Sequence, residues 1–195
     1  DVVFVPKERE IYPAPQEFII EPLPLANILE GEFRPGFFRG VATLVLKLLN
    51  IVQPQLVIFG KKDYQQLCIM RAMVHQLNLS IEIGEADTVR APDGLALSSR
   101  NRFLNREERI EAVYLFKILS KIQKEIEAGQ KDFKKLQVIA KNTLRSRGWD
   151  FDYIALRKVH TLEIAQINDK NLIVLGAAKL GSTRLIDNLE IIVKN

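Results

Sequence analysis

Residues 56–63 read Leu-Val-Ile-Phe-Gly-Lys-Lys-Asp, an uninterrupted apolar run that ends in a glycine and a charged turn. A short run of large apolar residues is typical of a strand in a parallel sheet, where both faces are covered. Downstream, Leu67, Met70, Val74 and Leu77 recur at helical spacing. Ile81, Glu82 and Ile83 begin another predicted strand, so this region predicts a strand, a helix and a second strand in succession.

The same alternation extends towards the beginning of the chain. Val2 to Val5 has the composition of a strand, and residues 36–52 carry one apolar stripe at helical spacing. Alternating strands and helices imply right-handed crossovers, which place helices on the faces of an open parallel sheet. We therefore predict an α/β fold, in which ligands bind at the carboxyl ends of the strands.

The pattern changes after about Val89. Residues 90–101 form a polar loop, and long charged helices follow instead of alternating strands. Asn105 followed by Glu108 predicts that the first of these helices begins with a capping box. Its predicted apolar face comprises Ile110, Val113, Ile118, Leu119, Ile122 and Ile126.

The end of the chain predicts one more helix and a small sheet. The helix runs from a cap at Asp132 to Gly148. Three stretches rich in Ile, Leu and Val then predict antiparallel strands. They are residues 151–159, 172–178 and 184–193. We therefore predict two domains, residues 1–88 with the parallel sheet and residues 89–195 with a smaller α+β fold.

The composition of the chain indicates where in the cell the protein is located and which kinds of partner it binds. The chain has 195 residues, with 28 Lys and Arg against 24 Asp and Glu, and the basic residues are scattered among acidic ones. This favours a solvated surface over a nucleic-acid-binding stripe. Apolar stretches are interrupted by Lys, Gln or Pro, and the first residues lack a signal-peptide pattern, so we expect a cytoplasmic protein without a membrane span. Cys68, His75 and His160 provide neither a disulfide nor zinc-ligand spacing.

The turn at residues 60–63 is suited to an anionic ligand. Gly60 permits close approach to the backbone, the helix N-terminus favours an anion, and Lys62 can place a positive charge on a phosphate. Asp63 is suited to cap the helix or to accept a hydrogen bond from a ribose hydroxyl. Taken alone, such a segment is more often a capped helix with exposed lysines, and this alternative stays open.

A second polar segment lies at residues 95–101. Ser98, Ser99 and Arg100 place two hydroxyls and a guanidinium in one loop, a donor set suited to a polyphosphate. The alternative is a serine-rich approach to a helix with a surface arginine.

Both segments resemble motifs of the pantothenate synthetase family. Residues 59–66 match the pattern Phe-Gly-Glu-Lys-Asp-Tyr/Phe-Gln-Gln, with Lys61 in place of the usual Glu. Residues 93–101 match Asp-Gly-Leu-Ala-Leu/Met-Ser-Ser-Arg-Asn without a change.

The resemblance extends over nearly the whole chain. Residues 29–41 resemble the Leu-Glu-Gly and Arg-Pro-Gly-His-Phe-Arg-Gly-Val stretch, with Phe37 in place of His, and residues 183–188 match Thr-Arg-Leu-Ile-Asp-Asn. The implied fold is part of a Rossmann-like nucleotidyltransferase domain followed by a smaller α+β domain.

The resemblance implies an ATP site built from both segments. Lys62 would contact the phosphates, Asp63 the ribose, and the backbone of Val89 the adenine. Gln66 would bind pantoate. The implied ATP-contacting residues are Gly60, Lys61, Lys62, Asp63, Val89, Leu97, Ser98, Ser99 and Arg100. The implied catalytic residues are Lys62, Ser98, Ser99 and Arg100.

The resemblance also implies a two-step reaction with ATP and Mg²⁺. Pantoate attacks the α-phosphate of ATP and releases pyrophosphate, and the amine of β-alanine then displaces AMP to give pantothenate. Catalysis would come from positioning and charge neutralisation, since no covalent enzyme intermediate is required. Family members form homodimers, so a homodimer is expected.

One family feature is missing from the sequence. The family begins with a strand and a His-x-Gly-His motif, whereas this sequence has only His75 and His160. By analogy, we expect about a hundred family residues before Asp1, and the activity of the chain alone is left open. Two alternatives are a nucleotidyltransferase with another acceptor and a non-catalytic binding or dimerisation module.

Overall fold

The computed structural model describes residues 1–193, which form two compact units. The first unit contains residues 1–59 and 69–84, and the second contains residues 60–68 together with the chain from Glu85 onward. The predicted division into domains 1–88 and 89–195 stays a prediction of domain organisation.

The first unit is built from helices and a two-stranded parallel sheet. Its helical segments are α1 (Glu8–Ile11), a 3-10 turn (Leu25–Asn27), α2 (Glu30–Phe33), α3 (Phe37–Val52) and most of α4 (Tyr64–Gln76). Strand β1 (Leu56–Gly60) pairs with strand β2 (Glu82–Ala86). The predicted sequence of strand, helix and strand is therefore confirmed, and α3 confirms the helix predicted from the apolar stripe.

Helices α3 and α4 supply most of the core of the first unit. Their apolar stripes pack together because residues three and four apart share a helix face. The buried residues are Ala26, Phe38, Ala42, Leu49, Ile69, Met70, Met73 and Val74.

Three predictions for this unit are wrong. Leu77, predicted on the apolar face of the helix after β1, lies beyond the end of α4 and is 44% exposed. Val2 to Val5 has no strand structure and its side chains are exposed. A strand needs a neighbour for its backbone hydrogen bonds, and within the described residues this sheet consists of β1 and β2. Strand β1 is also not covered on both faces, because Val57 and Phe59 pack on the core whereas Ile58 is 62% exposed.

The second unit combines three helices with an antiparallel sheet. The helices are α5 (Arg106–Glu111), α6 (Val113–Glu127) and α7 (Phe133–Ser146), and two 3-10 turns lie at Lys61–Asp63 and Ser99–Phe103. The strands are β3 (Asp150–Lys158), β4 (Asn171–Leu180) and β5 (Thr183–Ile192), in the order β3-β4-β5. Both neighbouring pairs are antiparallel, which confirms the predicted sheet and the α/β fold class with its α+β part.

The predicted helix starts are confirmed in the second unit. Asn105 Oδ1 accepts a 2.8 Å hydrogen bond from the Glu108 backbone, and Glu108 accepts one of 2.9 Å from the Asn105 backbone. Asp132 caps α7 by accepting from Lys135 N at 2.9 Å. However, the helix after Asn105 is divided at Ala112, which leaves Ile110 exposed rather than on the apolar face.

Helices α6 and α7 cover one face of the antiparallel sheet. Helix α6 packs against β4 and β5, and α7 packs against β3. Core residues include Leu115, Leu119, Leu144, Leu172 and Val174. In residues 1–193, no helix is long and apolar enough to cross a membrane. Cys68 is buried and both histidines are exposed.

Candidate active site

The turn that follows β1 is fixed by a residue of β5. Asn188, whose residue exposure is 6%, donates from Nδ2 to the backbone carbonyls of Lys61 and Lys62, each at 2.9 Å. Both carbonyls belong to the 3-10 turn that precedes α4. The backbone of the predicted phosphate-binding turn is thus attached to the antiparallel sheet of the second unit.

The Lys61 ammonium is surrounded by three carboxylates. Lys61 Nζ lies 3.3 Å from Glu85, 3.1 Å from Asp87 and 3.2 Å from Glu190. Hydrogen bonding to Asp87, joined by Glu190 and Glu85 and opposed by burial, raises the pKa of Lys61 well above its ordinary value. The Lys61 side chain is therefore charged and forms ion pairs within the protein.

Glu190 also holds the first residue of α4. Tyr64 is buried, and its hydroxyl donates a 2.9 Å hydrogen bond to Glu190 Oε1. Burial, together with that hydrogen bond and the charge of Glu190, raises the pKa of Tyr64 above its ordinary value. Glu190 therefore ties both Lys61 and Tyr64 to β5.

Lys62 differs from its neighbour. Its side chain is partly exposed and forms no ion pair with any residue from 1 to 193. Asp63 is exposed at the end of the 3-10 turn, immediately before α4. Gln66 is partly exposed, whereas the adjacent Gln65 is buried. Lys62, Asp63 and Gln66 are thus the side chains of this segment that an external ligand can reach.

An ion pair fixes the loop at residues 90–101, which contains the second segment, to the same strand. Arg90 donates to both carboxylate oxygens of Asp187, at 2.6 and 2.8 Å, and to the carbonyl of Gly94 at 3.1 Å. The Arg90 guanidinium lies 4.2 Å from the ring centroid of Phe116. Asp187 is only 4% exposed, so its charge is neutralised by a bidentate partner in a buried position.

A backbone hydrogen bond joins Val89, which precedes this loop, to Leu97 within it. Leu97 N donates a 2.9 Å hydrogen bond to the Val89 carbonyl, and both side chains are exposed. The two residues therefore present apolar side chains at the base of the serine-containing segment.

The serines begin a short 3-10 turn. Ser98 Oγ accepts a 3.2 Å hydrogen bond from the backbone N–H of Arg100, and Asn101 Nδ2 donates to the Ala96 carbonyl at 3.0 Å. The side chains of Ser99 and Arg100 are exposed. The local backbone is held while a hydroxyl and a guanidinium stay open to a ligand.

Strand β5 brings the two segments together. It contacts both 3-10 turns, and its adjacent residues Asp187 and Asn188 hold one segment each. The ligand-binding roles of Gly60, Lys61, Lys62, Asp63, Gln66, Val89, Leu97, Ser98, Ser99 and Arg100 stay predictions. Two surface cavities of the second unit lie elsewhere, one along α6 and one between α7 and β3.

The sequence interpretation assigned no role to the residues that hold these segments. They are Glu85, Asp87, Arg90, Asp187, Asn188 and Glu190. One signal was available, because the matched motif at residues 183–188 contains both Asp187 and Asn188. Asp187, Asn188 and Glu190 contact residues that lie 97, 127 and 129 positions earlier in the chain, and Glu85 and Asp87 contact Lys61 across the whole of α4. Local periodicity carries no information on such pairs.

Comparison with known proteins decides the family. The model of a family described as pantoate-beta-alanine ligase matches residues 1–190. The chain belongs to the pantoate–β-alanine ligase family. It is therefore a member of a ligase family, and the resemblance inferred from the motifs is confirmed.

Curated relatives in this family are named pantothenate synthetase. The chain is 58% identical over 193 residues to that of Nitrosospira multiformis, covering 99% of this chain and 69% of the relative. It is 54% identical over 192 residues to that of Chromobacterium violaceum, covering 98% and 69%. The chain thus spans about 69% of the length of these ligases.

Solved ligases of the family have a similar fold. A pantothenate synthetase structure from Thermus thermophilus superposes with a TM-score of 0.91 at 37% identity, covering 97% of this chain and 69% of that chain. A ligase from Francisella tularensis, complexed with beta-gamma ATP and β-alanine, gives a TM-score of 0.66 at 35% identity. That match covers 93% of this chain and 61% of the other.

Proposed function

We propose that the ligase containing this chain condenses pantoate with β-alanine through a pantoyl-adenylate, releasing AMP and pyrophosphate. Family membership supports ligation of pantoate and β-alanine with ATP. The Francisella tularensis relative, complexed with beta-gamma ATP and β-alanine, supports the same two substrates here. The exposed donors on two segments held by β5 support an ATP site in the second unit.

In the first step, a carboxylate oxygen of pantoate bonds to the α-phosphorus of ATP. The bond from that phosphorus to the bridging oxygen breaks, and pyrophosphate leaves with the electron pair. In the second step, the β-alanine amine attacks the acyl carbon, the bond from that carbon to the oxygen shared with phosphorus breaks, and AMP leaves with that oxygen and the electron pair. The amine nitrogen loses a proton, and the amide of pantothenate is formed.

A single observation carries the assignment of the phosphate contact. Of the two adjacent lysines, Lys61 is paired with three carboxylates, whereas Lys62 has no ion pair within the described chain. An unpaired ammonium on a fixed backbone is suited to neutralise charge that develops on a phosphate. We assign that role to Lys62, and a contribution through the backbone to Lys61 and Gly60.

The remaining roles are those that the family resemblance implies, and each of these side chains is at least partly exposed. Ser98, Ser99 and Arg100 supply donors for the phosphates, since hydroxyls, backbone N–H groups and a guanidinium all bind anionic oxygens. Val89 and Leu97 provide an exposed apolar pair beside them, which suits the adenine. Asp63 would accept from the ribose, and Gln66 would bind pantoate.

Mg²⁺ does not fit a site made by the protein alone. In residues 1–193, no three His, Cys, Asp or Glu side chains are arranged to hold a metal ion. Glu85, Asp87 and Glu190 converge, but the Lys61 ammonium lies among them. Any Mg²⁺ would arrive bound to ATP, and no step above depends on its position.

The proposal also includes the location and the assembly of the ligase. We propose that it is a cytoplasmic homodimer that binds neither nucleic acid nor membranes.

Pantoate-dependent exchange of labelled pyrophosphate into ATP tests this function. The full ligase is expected to catalyse exchange only when pantoate is present, and to form an amide only after β-alanine is added. Exchange that is indifferent to pantoate would contradict the proposal. Exchange with another acid instead would identify a nucleotidyltransferase of different acceptor specificity.

A further inference from the structure

Two adjacent residues of β5 serve the two segments of the candidate site. Asn188 binds the carbonyls of Lys61 and Lys62, and Asp187 binds the guanidinium of Arg90. Neither side chain reaches solvent to a useful extent, because the two residues are 6% and 4% exposed. They are therefore placed to set the position of other groups rather than to contact a substrate.

The chemistry at position 188 requires an amide. One Nδ2 group donates two hydrogens, and two successive backbone carbonyls accept them at 2.9 Å each. A carboxylate has no hydrogen to donate there, and an aliphatic side chain would leave two carbonyls without their partner. Asn188 thus fixes the position and orientation of the backbone at Lys62.

Asp187 makes a comparable contact with the other segment. Its two oxygens bind Arg90 at 2.6 and 2.8 Å, and Arg90 in turn binds the Gly94 carbonyl. Asp187 Oδ1 also accepts the Asn188 backbone N–H at 2.8 Å, so the two contacts share one stretch of strand. Displacement of β5 would move both segments together.

We propose that Asn188 and Asp187 are positioning residues, which set the placement of Lys62 and of the Ser98–Arg100 donors relative to ATP. The inference rests on the proposed function of those donors. Misplacing a reacting group by about 1 Å costs on the order of 100-fold in rate. We therefore expect Asn188→Ala to lower kcat/KM for ATP by about 10-fold to 100-fold.

The matched control breaks a similar ion pair elsewhere on the same strand. Arg184 of β5 binds Asp152 at 2.6 Å, and both side chains are largely buried. Asp152→Asn should lower the melting temperature of the full ligase as Asp187→Asn does, but leave kcat/KM for ATP within about twofold of wild type.

A double-mutant cycle separates positioning from general destabilisation. If Asn188 acts through Lys62, Asn188→Ala should cost little further activity in a Lys62→Ala background. Equal losses in both backgrounds, or an effect of Asn188→Ala no larger than that of Asp152→Asn, would overturn the inference. If Asn188→Ala does not fold, Asp187→Asn in wild-type and Arg100→Ala backgrounds provides the same comparison for the second segment. If the wild-type ligase shows no pantoate-dependent exchange of pyrophosphate into ATP, the proposed function itself is refuted.

Discussion

Lys61 Nζ lies 3.2 Å from Glu190 Oε2, so the first lysine of the 3-10 turn Lys61–Asp63 is paired with a glutamate of β5. Glu85 and Asp87 complete the acidic surroundings of the same ammonium. The family pattern has Glu at position 61, and in this chain a Glu there would meet three carboxylates. Lys61 and its acidic partners therefore form a matched set, which a charge reversal would disrupt.

Lys61→Glu is expected to destabilise the protein. The substitution removes three ion pairs and adds repulsion, but partial exposure screens the charges, so a loss of about 1–2 kcal/mol is expected. Urea unfolding at pH 7 measures this loss, and Lys61→Met should lose less because it adds no repulsion. Lys179→Met is the control, since its Nζ lies 4.0 Å from Asp150 at an exposed position. Equal stability of Lys61→Glu and wild type would contradict the matched set.

The alkaline limb of the stability profile should reflect Lys61 and Tyr64. Folding raises the pKa of Lys61 through Asp87 above all, and raises the pKa of Tyr64 through burial. A group with a raised pKa stabilises the fold fully below its ordinary pKa, here 10.5 for Lys61 and 10.0 for Tyr64, and loses this contribution as pH rises. Thermal unfolding between pH 9 and about pH 11 should show a decline that is shallower in Lys61→Met and in Tyr64→Phe.

Local patterns in the sequence were sufficient for most of the fold. The stripe of α3, the capping box at Asn105 and the three strands after Gly148 each depend on neighbours within a few residues. The prediction at Val2 to Val5 was wrong because a strand also requires a partner, which composition cannot supply. Ile110 was misplaced because periodicity does not reveal the break at Ala112.

The candidate site was predictable only as two separate segments. Their residue types indicated an anionic ligand, and the family pattern suggested that they act together. The contact that holds the first segment joins Asn188 to Lys61, 127 residues earlier. A pattern within a short window cannot show that the two residues meet, so the paired state of Lys61 and the unpaired state of Lys62 required the structure.

Glu111 offers an acid-sensitive test of the second unit. It accepts hydrogen bonds from Arg147 at 2.7 and 2.6 Å and from Trp149 Nε1 at 3.0 Å. Arg147 first, and Trp149 next, lower the pKa of Glu111, so its contribution is complete above the ordinary pKa of 4.5 and lost as pH falls through the lowered value. Glu111→Gln should cost about 1 kcal/mol in urea unfolding at pH 7.

The same comparison at lower pH shows whether the stabilisation by Glu111 depends on its negative charge. The difference between wild type and Glu111→Gln should shrink as pH falls below 4.5, because the wild-type carboxylate becomes protonated. Glu163→Gln removes a more exposed pair with Lys158 and should show little difference at either pH. A gap for Glu111→Gln that does not change with pH would mean that the side chain stabilises by packing rather than by charge.

Lys62→Ala tests the assignment on which the proposed mechanism depends. Removing one preorganised charge from a transferring phosphate costs about 2–4 kcal/mol, so pantoate-dependent exchange by the full ligase should fall by about 30-fold to 1000-fold. The melting temperature should stay close to that of wild type, because Lys62 has no ion pair among residues 1–193 to lose. Lys62→Arg should recover part of the rate, since it restores charge with a different shape.

Lys179→Ala, which removes an exposed lysine elsewhere in the second unit, should leave exchange unchanged. Unchanged exchange in Lys62→Ala would move the phosphate contact to Ser99 and Arg100, because both are exposed donors on the 3-10 turn that contacts β5.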